Sequence, residues 1–143
     1  VEFRGPVNSE TERRVFERVR ALAGSSSQVH FAPAVAPKEM AAVLRRYDAI
    51  CCPSLCVEGG PTVALEALAV GTPVIGSRIG GLAELIQDGV NGRLLRPGDV
   101  GELAHALRDL AERPEQLQAW RAHLPTARSL ADVTGDYLRL YAA

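Results

Sequence analysis

Apolar and polar positions along this chain switch repeatedly between a two-residue and a helical period. Val1-Glu2-Phe3-Arg4 alternates residue by residue and runs into Gly5-Pro6, which predicts a strand ending in a turn. Ser9 and Glu12 have capping-box spacing, and behind them Val15, Phe16, Val19 and Leu22 recur at helical intervals up to Gly24. A polar loop leads to a short strand over 28–32. Pro37 fits the first turn of a helix with Met40, Ala41, Leu44 and Tyr47 on one face.

A third strand is expected over 49–52, then a helix over 61–70 stopped by Gly71. A fourth strand covers 73–76, a short helix 82–87, and a last strand 93–95 after the turns Asp88-Gly89 and Asn91-Gly92. Beyond Pro97-Gly98-Asp99 the pattern is helical, with Leu103, Leu107 and Leu110 in one stripe and Leu130, Val133, Tyr137 and Tyr141 in another. Strands that alternate with helices and are apolar without clean alternation predict an α/β domain with a mainly parallel sheet and helices on both faces. The 143 residues suit one domain, 1–143, with a helical tail from about 99 to 143.

Sixteen Lys and Arg stand against seventeen Asp and Glu, a net charge of -1, which argues against a non-specific nucleic-acid binder. No run of apolar residues is long enough to span a bilayer, and no secretory signal opens the sequence. Cys51, Cys52 and Cys56 make an odd count without metal-ligand spacing, so a reducing compartment is expected and no metal site. Cys51 and Cys52 close an apolar run and read as small buried hydrophobes.

The chemistry concentrates in the segment 53–69. It leaves the carboxyl end of a parallel strand, crosses a glycine-containing loop and enters a helix, where open α/β sheets take their ligands. Loop glycines permit close backbone approach, and a helix N-terminus offers N–H groups to oxyanions. Glu66 is the single polar side chain between Val63 and Val70. A helix so apolar should be largely buried, so Glu66 has either a dedicated donor or a narrow exposed stripe. A carboxylate there can also accept both hydroxyls of a ribose diol. Glu58 lies in the loop before the helix, where a ligand across the helix mouth would meet it too.

A second glycine loop, Gly76 to Glu84, leaves the same sheet edge and suits either the opposite wall of a crevice or a tight strand-to-helix turn. Its Arg78 suits a phosphate or a solvated surface. The GxGxxG, GxxxxGK[ST] and GxSxG patterns are absent.

Pro53-Ser54, Glu58, Pro61, Glu66-Ala67, Gly71-x-Pro73-Val74-Ile75, Gly80-Gly81-x-x-Glu84, Asp88-Gly89-x-Asn91-Gly92 and Pro97-Gly98-Asp99 follow one another in order. This string resembles the C-terminal, donor-binding domain of the family 4, or group 1, retaining glycosyltransferases, whose paired glutamates have the seven-residue interval of Glu58 and Glu66. The resemblance implies a Rossmann-like half of a GT-B fold and transfer of a sugar from a nucleotide-diphosphate sugar to a hydroxyl acceptor in carbohydrate biosynthesis. By the same resemblance Glu66 binds the donor ribose, and Glu58 is catalytic at the sugar. The backbone at Gly60, Pro61 and Thr62 approaches the diphosphate, and Gly5, Gly80 and Gly81 line the cleft; Arg78 is a donor-binding candidate from its place in the second glycine loop.

The donor is then a substrate, with no cofactor. The implied partners are a nucleotide sugar and an N-terminal acceptor-binding domain or chain, with no nucleic acid. Peripheral membrane association of the full enzyme and a cytoplasmic location follow the same resemblance.

Three departures qualify it. Gly60-Pro61 stands where many members have Phe-Gly. Val1 to Gly5 matches the family's second strand, so the first strand and helix are expected to be missing, and the sheet order 3-2-1-4-5-6 acquires a gap. The acceptor domain is also expected to be missing, so this chain alone should transfer poorly. A non-catalytic interaction module and a sugar-nucleotide epimerase of the same two-domain architecture are the alternatives.

Overall fold

The computed structural model describes residues 1–142. The chain divides into two compact units, Val1–Met40 and the chain from Ala41 onward.

In the first unit, strand β1 (Glu2–Arg4) pairs in parallel with β2 (His30–Ala32), with Phe3 opposite Phe31. Helix α1 (Glu10–Ala23) makes the connection. Its start is the expected capping box: Ser9 Oγ accepts from the Glu12 N–H, and the Glu12 carboxylate accepts the Ser9 N–H. The Asn8 and Ser9 amides hold the Glu12 carboxyl below its ordinary range. Gly24 closes the helix at φ +57°, a conformation that favours glycine. Phe31 stacks on Phe3 at 5.5 Å and meets Phe16 edge-on at 5.1 Å. This aromatic trio is the unit's packing centre, and no residue of the unit is fully buried.

Helix α2 (Pro37–Leu44) carries the chain across the boundary. It ends before Tyr47, which was expected on its face. The Tyr47 N–H donates to the Leu44 carbonyl at 3.1 Å in a tighter turn.

The second unit is built on β3 (Ile50–Cys52), β4 (Val74–Ser77) and β5 (Gly92–Leu95), all parallel with β4 central. Between them run α3 (Thr62–Ala69) and α4 (Gly80–Leu85), followed by α5 (Val100–Glu112), α6 (Glu115–Arg121) and α7 (Leu130–Tyr141). Alternation along β4 assigns the faces. Ile75 packs with Leu95 against Ala106 and Leu110 of α5 and Leu117 and Trp120 of α6. Gly76, one residue on, points the other way towards Leu82 of α4 and the following Ile86. Helices therefore cover both faces, as the apolar strands required.

The architecture is Rossmann-like. The pairs β1–β2, β3–β4 and β4–β5 are those the expected strand order contains, and among the described residues no pairing links the two sheets.

Three sequence expectations need adjustment. Helix α4 starts at Gly80 rather than at 82 and stops at Leu85. Cys52 is buried as a small hydrophobe should be, but Cys51 is exposed. The stripe Leu130, Val133, Tyr137 and Tyr141 belongs to a helix with no fully buried residue, although Ser129 and Asp132 cap it properly. No helix among the described residues is long and apolar enough to cross a membrane.

Candidate functional site

Because β3 and β4 are parallel, the loop after Cys52 and the turn after Ser77 leave the same edge of the sheet. They meet there closely. The Gly81 N–H donates to the Glu58 carbonyl at 2.7 Å. A Cβ at Gly80 would lie 2.5 Å from the Glu58 carbonyl oxygen, and one at Gly81 would lie 2.5 Å from that of Gly59. Gly80 also sits at φ +50°. The two glycine loops thus form one surface, with the second serving as a seat for the backbone of the first. Real Cβ atoms do not tolerate such separations, so this approach requires glycine at both positions.

Glu58 is half-buried in this seat. Its Oε1 accepts from Ser54 Oγ at 3.1 Å, and Cys56 Sγ approaches the same oxygen at 3.9 Å. Burial pushes the neighbouring Cys52 thiol up to about 11, with the Cys51 and Glu58 charges adding to the shift. Cys52 is therefore a protonated core thiol rather than a nucleophile. Ser54 and Cys56 were not assigned a role from the sequence. The available signal was a short hydroxyl four residues before the loop carboxylate.

Helix α3 begins directly after this loop, with Pro61 as N-cap and no side-chain hydrogen bond at its mouth. Pro61 lacks an N–H, so the backbone donors available there come from its neighbours Gly60 and Thr62. The helix is less buried than its composition suggested. Ala64, Ala67 and Leu68 turn inward, but Val63 remains 40 % and Leu65 44 % exposed. Glu66 is exposed as well, and among the described residues no hydrogen bond or ion pair engages it. The expected alternative of an exposed stripe is the one realised, and the helix needs no internal donor for this carboxylate.

Arg78 is placed differently. Its guanidinium donates to Asp88 Oδ2 at 2.7 Å, and Asp88 Oδ1 accepts the Leu94 N–H at 3.0 Å. Gly5 belongs to the first unit, at the end of β1, where its N–H points to the Ala32 carbonyl at 3.4 Å. Among the described residues no group of three His, Cys, Asp or Glu side chains is arranged to hold a metal ion.

A parallel α/β unit with an open helix mouth and a free carboxylate at the carboxyl edge of its strands is of the class that takes ligands in that crevice. Residues 5–124 match the family described as glycosyl transferases group 1, and the chain belongs to that family. It is 40% identical over 103 residues to the MMP alpha-(1->4)-mannosyltransferase of Mycolicibacterium hassiacum, which covers 71% of this chain and 25% of that protein. The chain thus spans about a quarter of the length of the curated relatives it matches. Anabaena HepE in complex with UDP and glucose superposes with a TM-score of 0.83 at 20% identity, over 99% of this chain and 40% of that one. The C-terminal domain of the group 1 protein LpcC from Francisella tularensis gives a TM-score of 0.69 at 26% identity, covering 90% of this chain and 63% of that structure.

Proposed function

We propose that this chain is the C-terminal, donor-binding part of a family 4 retaining glycosyltransferase, which moves a sugar from a nucleotide-diphosphate sugar to a hydroxyl acceptor. The observation that carries the reading is Glu66: an exposed carboxylate without a partner among the described residues, on the second turn of a helix whose mouth no side chain caps. A carboxylate can accept both hydroxyls of a ribose, and the first-turn N–H groups suit the diphosphate beside it.

In this reading Glu66 takes the ribose, and Glu58 meets the sugar as the catalytic carboxylate. The amides of Gly60 and Thr62 face the diphosphate across Pro61, whose ring fixes the turn. Gly80 and Gly81 contribute to the cleft through the seat they make for Glu58 and Gly59. Arg78 would serve a phosphate only by exchanging Asp88 for it. Developing charge on the leaving diphosphate needs fixed cationic donors, which the rest of the enzyme would bring together with an acceptor-binding N-terminal domain. Association of the full enzyme with a membrane surface and a cytoplasmic location belong to the same proposal.

Calorimetric titration with UDP, GDP and ADP tests it. One of the three should bind, and Glu66→Ala should weaken that affinity by about tenfold, the cost of losing a charged hydrogen-bond acceptor. Since Glu66 is exposed and has no partner among the described residues, the variant should melt with the parent. Unchanged affinity in a folded Glu66→Ala variant would refute the assignment.

A further inference from the structure

We infer that Ser54 is the positioning residue for Glu58, fixing the carboxylate so that one oxygen faces the donor sugar. The inference rests on the reading of Glu58 given above and adds a residue to it.

Glu58 is held at two separate points. Its main chain is fixed by the Gly81 N–H on its carbonyl, with the Gly80 and Gly81 backbone packed close behind it. Its side chain is fixed by Ser54 Oγ on Oε1 at 3.1 Å, between two half-buried residues. Cys56 Sγ lies 3.9 Å from the same oxygen and adds a weaker thiol donor. Both donors converge on Oε1, and among the described residues none is directed to Oε2. The terminal torsion of a glutamate is broad and roughly two-fold, so the backbone seat alone would leave the carboxylate plane free to turn. A hydroxyl donor on one oxygen removes that freedom before any ligand arrives. Among the described residues no cation engages either oxygen.

The test compares sugar nucleotides with bare nucleotides on the complete protein. UDP-glucose, GDP-mannose and ADP-glucose are titrated beside UDP, GDP and ADP. Ser54→Ala should weaken binding of the preferred sugar nucleotide about fivefold, the effect of one ordinary hydrogen bond. It should leave the matching nucleoside diphosphate within about twofold. Ser54→Thr, which keeps the hydroxyl, should recover most of the loss. In a Glu58→Ala background the Ser54→Ala change should add nothing, because the two residues act as one unit.

Equal losses for sugar nucleotide and bare nucleotide would overturn the inference, since that is what a general loosening of the loop produces. So would a fivefold loss that persists in the Glu58→Ala background. Failure of the underlying reading looks different. If Glu58→Ala alone leaves sugar-nucleotide affinity unchanged, or no sugar nucleotide binds the unmodified protein, Glu58 has no donor role and Ser54 has none through it.

Discussion

Two charged regions flank the second unit's sheet, and they use their carboxylates in opposite ways. Around β5, every acid has a basic or amide partner close by. Asp88 joins Arg78, Arg93 and the Leu94 amide, and Arg96 lies between Asp99 and Glu102, whose carboxylate also accepts the Arg96 N–H at 2.7 Å. Around the mouth of α3, among the described residues, Glu58 has only neutral donors and Glu66 has none. Charges that satisfy one another hold turns in place. Charges left without a counterpart cost little at a wet surface and keep their full capacity for a ligand. The difference separates a structural edge from the edge proposed above as the binding edge.

The largest effect expected from disturbing this contrast lies in the seat between the two glycine loops. Gly81→Ala would place a Cβ 2.5 Å from the Gly59 carbonyl oxygen and 3.2 Å from that of Glu58. A loss of about 3 kcal/mol in urea unfolding is expected, typical of an overpacked site. A variant as stable as the parent would show that the loops separate freely, and the binding edge would then lack its scaffold.

Asp88→Ala addresses the other edge. It removes the acceptor of the Leu94 amide and the partner of Arg78, with the ion pairs partly exposed to solvent. Stability should fall by about 1 kcal/mol, with nucleotide affinity unchanged within about twofold. A marked gain in affinity instead, with Arg78 released to a phosphate, would move Arg78 into the binding edge and erase the distinction.

Acid titration should give the smallest signal. Burial works to raise the Asp88 pKa, but the Leu94 amide, Arg78 and Arg93 together outweigh it and hold the group below its ordinary value of 3.8. A depressed folded-state pKa contributes stability that is complete above the unfolded value and lost as pH falls through the folded one. Urea midpoints should therefore be insensitive to this residue at neutral pH and decline below pH 3.8, less steeply in Asp88→Ala than in the parent.

Much of this was legible in the residues themselves. Ser9 with Glu12, Gly24, Gly71 and the apolar runs defined the elements because capping and turn chemistry are local. The strand-edge position of both glycine loops followed from parallel topology. What stayed hidden depends on contacts distant in sequence. Nothing around Gly80 announces that it abuts the Glu58 backbone, since a strand-to-helix turn alone would also accept glycine. Helix α3 misled for a related reason: apolar content says a face is able to be buried, and only the neighbouring elements decide whether Val63 and Leu65 are. Glu58 and Glu66 could be named in advance, but the serine that orients one and the openness around the other required coordinates.

The single tryptophan of the chain gives these experiments an optical address. Trp120 is 4 % exposed against Ile75 and Leu95, and its indole donates to the Gly89 carbonyl at 3.2 Å. All three tyrosines also lie beyond residue 40, so Val1–Met40 contributes only phenylalanine to the near-ultraviolet spectrum. Indole emission therefore follows the unfolding of the second unit alone, while far-ultraviolet dichroism sums both. If the two signals melt apart, the separation between their midpoints directly measures how independently the two units fold.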